Sequence, residues 1–178
     1  MKKYVVGGLV VAALVAAVFL DPSHSVTGRL RGESFFSGYP TSYWGEQLES
    51  GPGAQSEARK ALEAGGKPAV PVLIELLGTG TSPGWKKPTV RWVAAEVLGT
   101  IGPDARDASA SLISALDDPD PYVQGVAAFS IPQVQTPAKD AVPPLTKLLR
   151  TQHVVPATRA LSEYKGEARE ALTELLVI

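Results

Sequence analysis

The chain has 178 residues, enough for one domain of ordinary size, and 44% apolar with 20% charged side chains is a composition that supports a buried core. Its 17 basic and 18 acidic residues leave a formal net charge of −1, without the cationic excess that a general nucleic-acid binder needs. No cysteine is present, which excludes disulfides and thiolate chemistry, and two histidines, His24 and His153, are too few for a zinc site built mainly on His.

Lys2 and Lys3 precede an uncharged apolar run of 17 residues, Tyr4 to Leu20. As a helix it would span roughly 25 Å, the low end for crossing a bilayer. Three readings compete: a cleaved signal peptide, an uncleaved signal anchor and a buried core helix. Bulky Phe19 and Leu20 spoil a cleavage site at the boundary, although Ser23 and Ser25 offer a weak one. A terminal run with no polar face would need covering on all sides to serve as a core helix. The anchor therefore fits best, with residues 4–20 in the membrane. Lys2 and Lys3 favour a cytoplasmic N-terminus and a domain outside the cytoplasm, a vote that Arg29 and Arg31 weaken slightly. Without residues 1–20, 15 basic groups face 18 acidic ones, a net charge of −3.

Residues 21–40 carry Gly, Ser and Pro with no clear period and read as a linker. Phe35, Phe36 and Tyr39 are too apolar for a purely solvated tether. They are expected either to pack on the first helices or to lie at the bilayer surface.

From Thr41 onward the pattern becomes short helices punctuated by Gly and Pro. Four segments superpose: Ala69–Leu77, Ala108–Leu116, Ala141–Leu149 and Ala168–Leu176. Each has Ala first and Leu fifth and ninth, and the fifth-position leucines Leu73, Leu112, Leu145 and Leu172 lie 39, 33 and 27 residues apart. Apolar residues at three- and four-residue steps mark one helical face in each. A second helix follows each of the first three, at Thr89–Gly102, Tyr122–Val134 and Pro156–Tyr164. An earlier pair is read at Thr41–Leu48 and Ser56–Gly66. Val123, Ala127 and Ile131 fall 33 residues after Val90, Ala94 and Leu98. Pro132 stands where Gly99 stood, so the second of these helices should kink or end early. One such pair cannot bury its own apolar face, so the pairs must stack. Leu73, Ala94, Leu98, Leu112, Ala127 and Leu145 are the expected core.

Ala69-Val-Pro-Val-Leu, the segment Val90–Gly102 (VRWVAAEVLGTIG) and Asp117–Val123 (DDPDPYV) together resemble the HEAT-repeat family, within it the short bacterial HEAT-like repeats. The likeness covers roughly residues 41–176. The family's usual Arg after the Val is kept at Arg91 and is Gln124 in the next repeat. Gly32–Trp44 (GESFFSGYPTSYW) also resembles a stretch that precedes such repeats in membrane-anchored bacterial proteins, which brings no activity with it. The resemblance implies an all-α, right-handed α-solenoid of about three to four helix pairs over residues 41–178, preceded by the N-terminal membrane helix.

Chemistry-bearing motifs are few. Asp117, Asp118 and Asp120 invite a metal reading, but a calcium loop needs alternating ligands and a turn glycine that are missing. Asp120 before Pro121 reads instead as a helix N-cap. His153 reads as a helix-end or packing residue. No phosphate loop and no Gly-x-Ser-x-Gly nucleophile motif occurs. No cofactor and no catalytic or metal residue is expected.

Gly78–Pro88 is a six-residue excess over the other repeats. Its bland reading is neutral drift, since loops tolerate insertion cheaply. Its functional reading is a recognition loop, because Trp85, Lys86 and Lys87 sit together just before Arg91 and Trp92. Arg91 and Gln124 hold matched places and are expected to line one face. The expected protein-binding set is Trp85, Lys86, Lys87, Arg91, Trp92 and Gln124. The alternative is that Trp85 covers a helix end and Trp92 packs between repeats. The expected function is a non-catalytic, membrane-anchored scaffold or adaptor with a protein partner and no nucleic acid. One rival is a structural envelope component without a discrete ligand. The other is an enzyme resembling the HEAT-like lyases that attach bilins, which act in the cytoplasm and fit poorly with an exported domain.

Overall fold

Residues 21, 23–78, 87–150, 154–166 and 168 are described by the structure, a computed structural model. They are mostly helical. In chain order come α1 (Ser25–Arg31), β1 (Phe35–Phe36), β2 (Tyr39–Pro40), α2 (Thr41–Glu49), α3 (Pro52–Gly65), α4 (Val70–Leu77) and α5 (Pro88–Ile101). They are followed by α6 (Ser109–Ser114), α7 (Pro121–Gln133), α8 (Ala138–Leu148) and α9 (Val154–Glu163). Single turns of 3₁₀ helix at Lys67–Ala69 and Ala115–Asp117, and a longer stretch at Gly102–Ala108, join them.

Local chemistry sets the boundaries. Proline occupies one of the first two positions of α3, α4, α5 and α7, where its missing N–H costs nothing and its fixed φ suits the helix. Gly66 and Gly102 end the second helices α3 and α5 with positive φ. Gln135 takes the matched place after α7 at φ 56, closing a turn in which Gln135 N–H donates to Pro132 O and Thr136 N–H to Ile131 O. Pro132 sits one residue before the end of α7, so the helix stops early, as expected of a proline there.

Consecutive helices pair as α2 with α3, α4 with α5, α6 with α7 and α8 with α9. The second helices α3, α5, α7 and α9 then pack side by side in that order. Two layers result, with the core between them. All six expected core residues, Leu73, Ala94, Leu98, Leu112, Ala127 and Leu145, are fully buried. Small residues set the closest approach. A Cβ on Gly99 would lie 2.6 Å from Ser130 Oγ and 3.2 Å from Ser130 Cα, so α5 meets α7 there backbone to side chain.

Polar ties between pairs keep the same period as the apolar pattern. Arg91 bonds Asp118 (2.7 Å), Ser109 bonds Thr136 (3.0 Å), and Tyr164 Oη donates to Thr136 O (3.1 Å), separations of 27 to 28 residues. Arg106 Nε donates to Gln135 O, 29 residues on.

Residues 21–40, expected to be a linker, form α1 and a two-residue antiparallel hairpin docked on the first pair. Glu75 of α4 accepts from Ser34 N–H (2.9 Å), Ser34 Oγ (2.6 Å) and Thr41 Oγ1, and Glu33 accepts from Ser42 N–H (2.8 Å). Trp44 Nε1 donates to Phe36 O, with the two rings 5.4 Å apart, and Tyr39 stacks on Tyr43. The aromatic residues of this segment thus pack on the first helices, and the segment covers the end of the stack. Stacked repeats need such a cover, because a terminal unit otherwise exposes its apolar face.

No helix among the described residues is long and apolar enough to cross a membrane. The run at residues 4–20, the segment Ala168–Leu176 beyond its first residue, and His153 lie outside them. Ala168 itself is buried.

Candidate functional site

Asp118 sits in the short loop between the 3₁₀ turn Ala115–Asp117 and α7. Its carboxylate takes a two-pronged bond from Arg91 on α5, Nε to Oδ2 at 2.7 Å and Nη2 to Oδ1 at 2.9 Å. Asp118 Oδ1 also accepts from Asp120 N–H (2.8 Å), and Gln124 Nε2 donates to Asp118 O (2.6 Å). Both charged side chains are about nine-tenths buried. The hydrogen bonds from Asp118 raise the Arg91 pKa above the ordinary arginine value, while burial opposes them. Asp120 caps α7, accepting from Tyr122 N–H (2.9 Å) and Val123 N–H (3.3 Å), which is the role its place before Pro121 implied.

Arg91 and Gln124 therefore do converge, but on Asp118 and inward. The expectation that they line an exposed face is corrected in that respect. The reason is that a buried carboxylate one repeat away satisfies them both. Trp92 is half-buried and meets the exposed Tyr122 edge to face at 5.4 Å. Lys87 is exposed and pairs with Glu49 (2.6 Å) at the start of α5. Trp85 and Lys86 lie outside the described residues, as does the rest of 79–86.

The expected set omitted what the second helices do present. Tyr122 is 61% exposed and Phe129 44% exposed. They are seven residues apart on α7 and so share one face. The guanidinium of Arg159 on α9 lies 5.0 Å from the Phe129 ring centroid, and Val155, one turn before Arg159, is exposed too. Trp92, Tyr122, Phe129, Arg159 and Val155 form one stripe across α5, α7 and α9. On the opposite face of α7, Val123, Ala127 and Ile131 are buried, so this helix is apolar on both sides. One signal in the sequence pointed to this: Phe129 occupies the place that Glu96 holds 33 residues earlier. Glu96 pairs instead with Arg59 of α3 (2.9 Å), which also bonds Glu63 within its own helix.

Among the described residues, no three His, Asp or Glu side chains converge as metal ligands would. A shallow, open groove between α2, α3 and α5 is lined by Leu48, Glu49, Pro52, Gln55, Lys87 and Thr89. No family model matches the chain, and no curated protein matches it.

Proposed function

We propose that the chain is a short, right-handed, HEAT-like α-solenoid of about three to four helix pairs, held at a membrane by residues 4–20. It serves as a non-catalytic adaptor, and a partner protein docks on the face made by the second helices. The observation that carries this reading is α7. A helix apolar on both faces is normally buried on both, and Tyr122 and Phe129 leave one side of α7 uncovered. Burying what they still expose is worth on the order of 2–3 kcal/mol each. Arg159 and Trp92 flank them with residue types favoured as interface anchors. The buried pairing of Arg91 moves the expected contacts from Arg91 and Gln124 to this stripe.

Photo-crosslinking in cells tests the reading. A crosslinker at Phe129 should capture one recurrent protein, and one at Lys139 on a first helix should not. The double variant Tyr122→Ser/Phe129→Ser should lose the capture while keeping its helical melting profile. Equal capture from Phe129 and Lys139, or undiminished capture by the folded double variant, would place the contact surface elsewhere.

A further inference from the structure

The short helix α1 carries an exposed leucine between two arginines, Arg29-Leu30-Arg31, and Leu30 is 76% exposed. α1 docks on the domain by Gly28, which is buried against Pro40 and Phe35. At about 100° per residue, Leu30 lies some 200° around the helix from Gly28, so it points away from the protein. Arg29 and Arg31 stand to either side of it. Arg29 rests 5.9 Å from the Phe35 ring centroid, and Arg31 has only a loose, 3.7 Å approach to Glu33.

Four residues separate the end of the apolar run, Leu20, from the start of α1 at Ser25. Even fully extended, that connection reaches roughly 17 Å. It is also bent back on itself. Asp21 accepts from Ser23 Oγ and from Val26 N–H, both at 2.7 Å, and His24 N–H donates to Asp21 O. The hydrogen bond from Ser23, then that from Val26, lowers the Asp21 pKa. A helix tied this closely to the end of a membrane span sits at the headgroup layer, which is only about 5–8 Å thick on each side.

We propose that α1 lies on the bilayer surface as a lipid contact, with Leu30 at the acyl boundary and Arg29 and Arg31 on anionic phospholipid headgroups. The proposal rests on the reading of residues 4–20 as a membrane anchor. It explains why a leucine projects from a helix whose other side is docked. The combination of apolar and cationic side chains is what an interfacial helix uses. The contact would set the orientation of the helix stack relative to the membrane.

The absence of cysteine allows single-site labelling of the full chain. The variants Leu30→Cys, Val10→Cys and Asp117→Cys would each carry an environment-sensitive NBD dye. They would be reconstituted in vesicles of phosphatidylcholine alone or with phosphatidylglycerol at about 3:1. Lipids spin-labelled near the headgroup end or deep in the acyl chain then quench the dye. The expected result is deep quenching at position 10, shallow quenching at position 30, and none at position 117 in the third helix pair. Quenching at 30 should be about twofold or more stronger with phosphatidylglycerol, and Arg29→Gln/Arg31→Gln should remove that gain. Quenching at 10 with position 30 no different from 117 would overturn the surface contact alone. No quenching at 10 would overturn the anchor and this proposal with it. Quenching at 30 that is indifferent to phosphatidylglycerol would overturn the role given to the arginines.

Discussion

Breaking the Arg91–Asp118 pair should reveal how strongly one helix pair holds the next. The two groups come from α5 and from the loop before α7, 27 residues apart, and their side chains are only 11% and 9% exposed. Arg91→Met keeps most of the side-chain volume but leaves the Asp118 carboxylate with the Asp120 N–H as its remaining donor in this cluster. Orphaning a buried charge costs about 3–5 kcal/mol, and the residual exposure lets water reach the carboxylate, so about 2–4 kcal/mol is expected here. Asp118→Asn keeps an acceptor for the Asp120 N–H yet removes the charge facing Arg91, and a similar loss is expected. The double variant should cost clearly less than the sum of the two, with a coupling of about 1.5–3 kcal/mol. Urea unfolding of the four proteins in mild detergent, followed by circular dichroism, measures the cycle. The coupling should change little between about 0.05 and 0.5 M salt, since a buried pair is weakly screened. Additivity within about 0.5 kcal/mol, or a coupling that vanishes with salt, would show that the pair is solvated and does not join the repeats.

Three further substitutions probe the packing. Leu112→Ala, at a fully buried position in mid-stack, should cost about 2–5 kcal/mol, read as a lowered denaturation midpoint; an unchanged midpoint would refute the register. Gly99→Ala should destabilise by about 1–3 kcal/mol, because its Cβ would meet Ser130 at 2.6–3.2 Å, and a neutral result would mean that α5 and α7 can separate freely. Gln135→Gly should stabilise by about 0.5–1 kcal/mol in thermal melts, since glycine tolerates the positive φ that a side chain resists; a loss of stability would show that the Gln135 side chain makes a compensating contact.

Much of the helical framework is legible in the sequence because it repeats. A leucine at every fifth place of the first helices and an alanine at matched places of the second ones specify which face turns inward. Leu73, Leu112 and Leu145, with Ala94 and Ala127, are buried accordingly. Helix ends are equally local. Proline near the start and glycine after the end act through the φ of one residue and the loss of one N–H, and the Asp120 cap reaches only two and three residues ahead. Such features need no knowledge of the rest of the chain.

Polar side chains and the N-terminal segment depended on tertiary contacts. Arg91 looked like a surface cation, but Asp118, brought beside it by the stacking of the second helices, draws it inward along with Gln124. Residues 21–40 have no period to read, yet Glu75 collects Ser34 and Thr41 across 41 and 34 residues and fastens the hairpin to α4. Tyr122 and Phe129 are ordinary apolar residues in the sequence, and only the packing of α7 against its neighbours leaves them outside. Periodicity determines which residues a helix can bury. Which charge meets which partner, and which apolar residue is left facing out, depends on where distant segments come to rest.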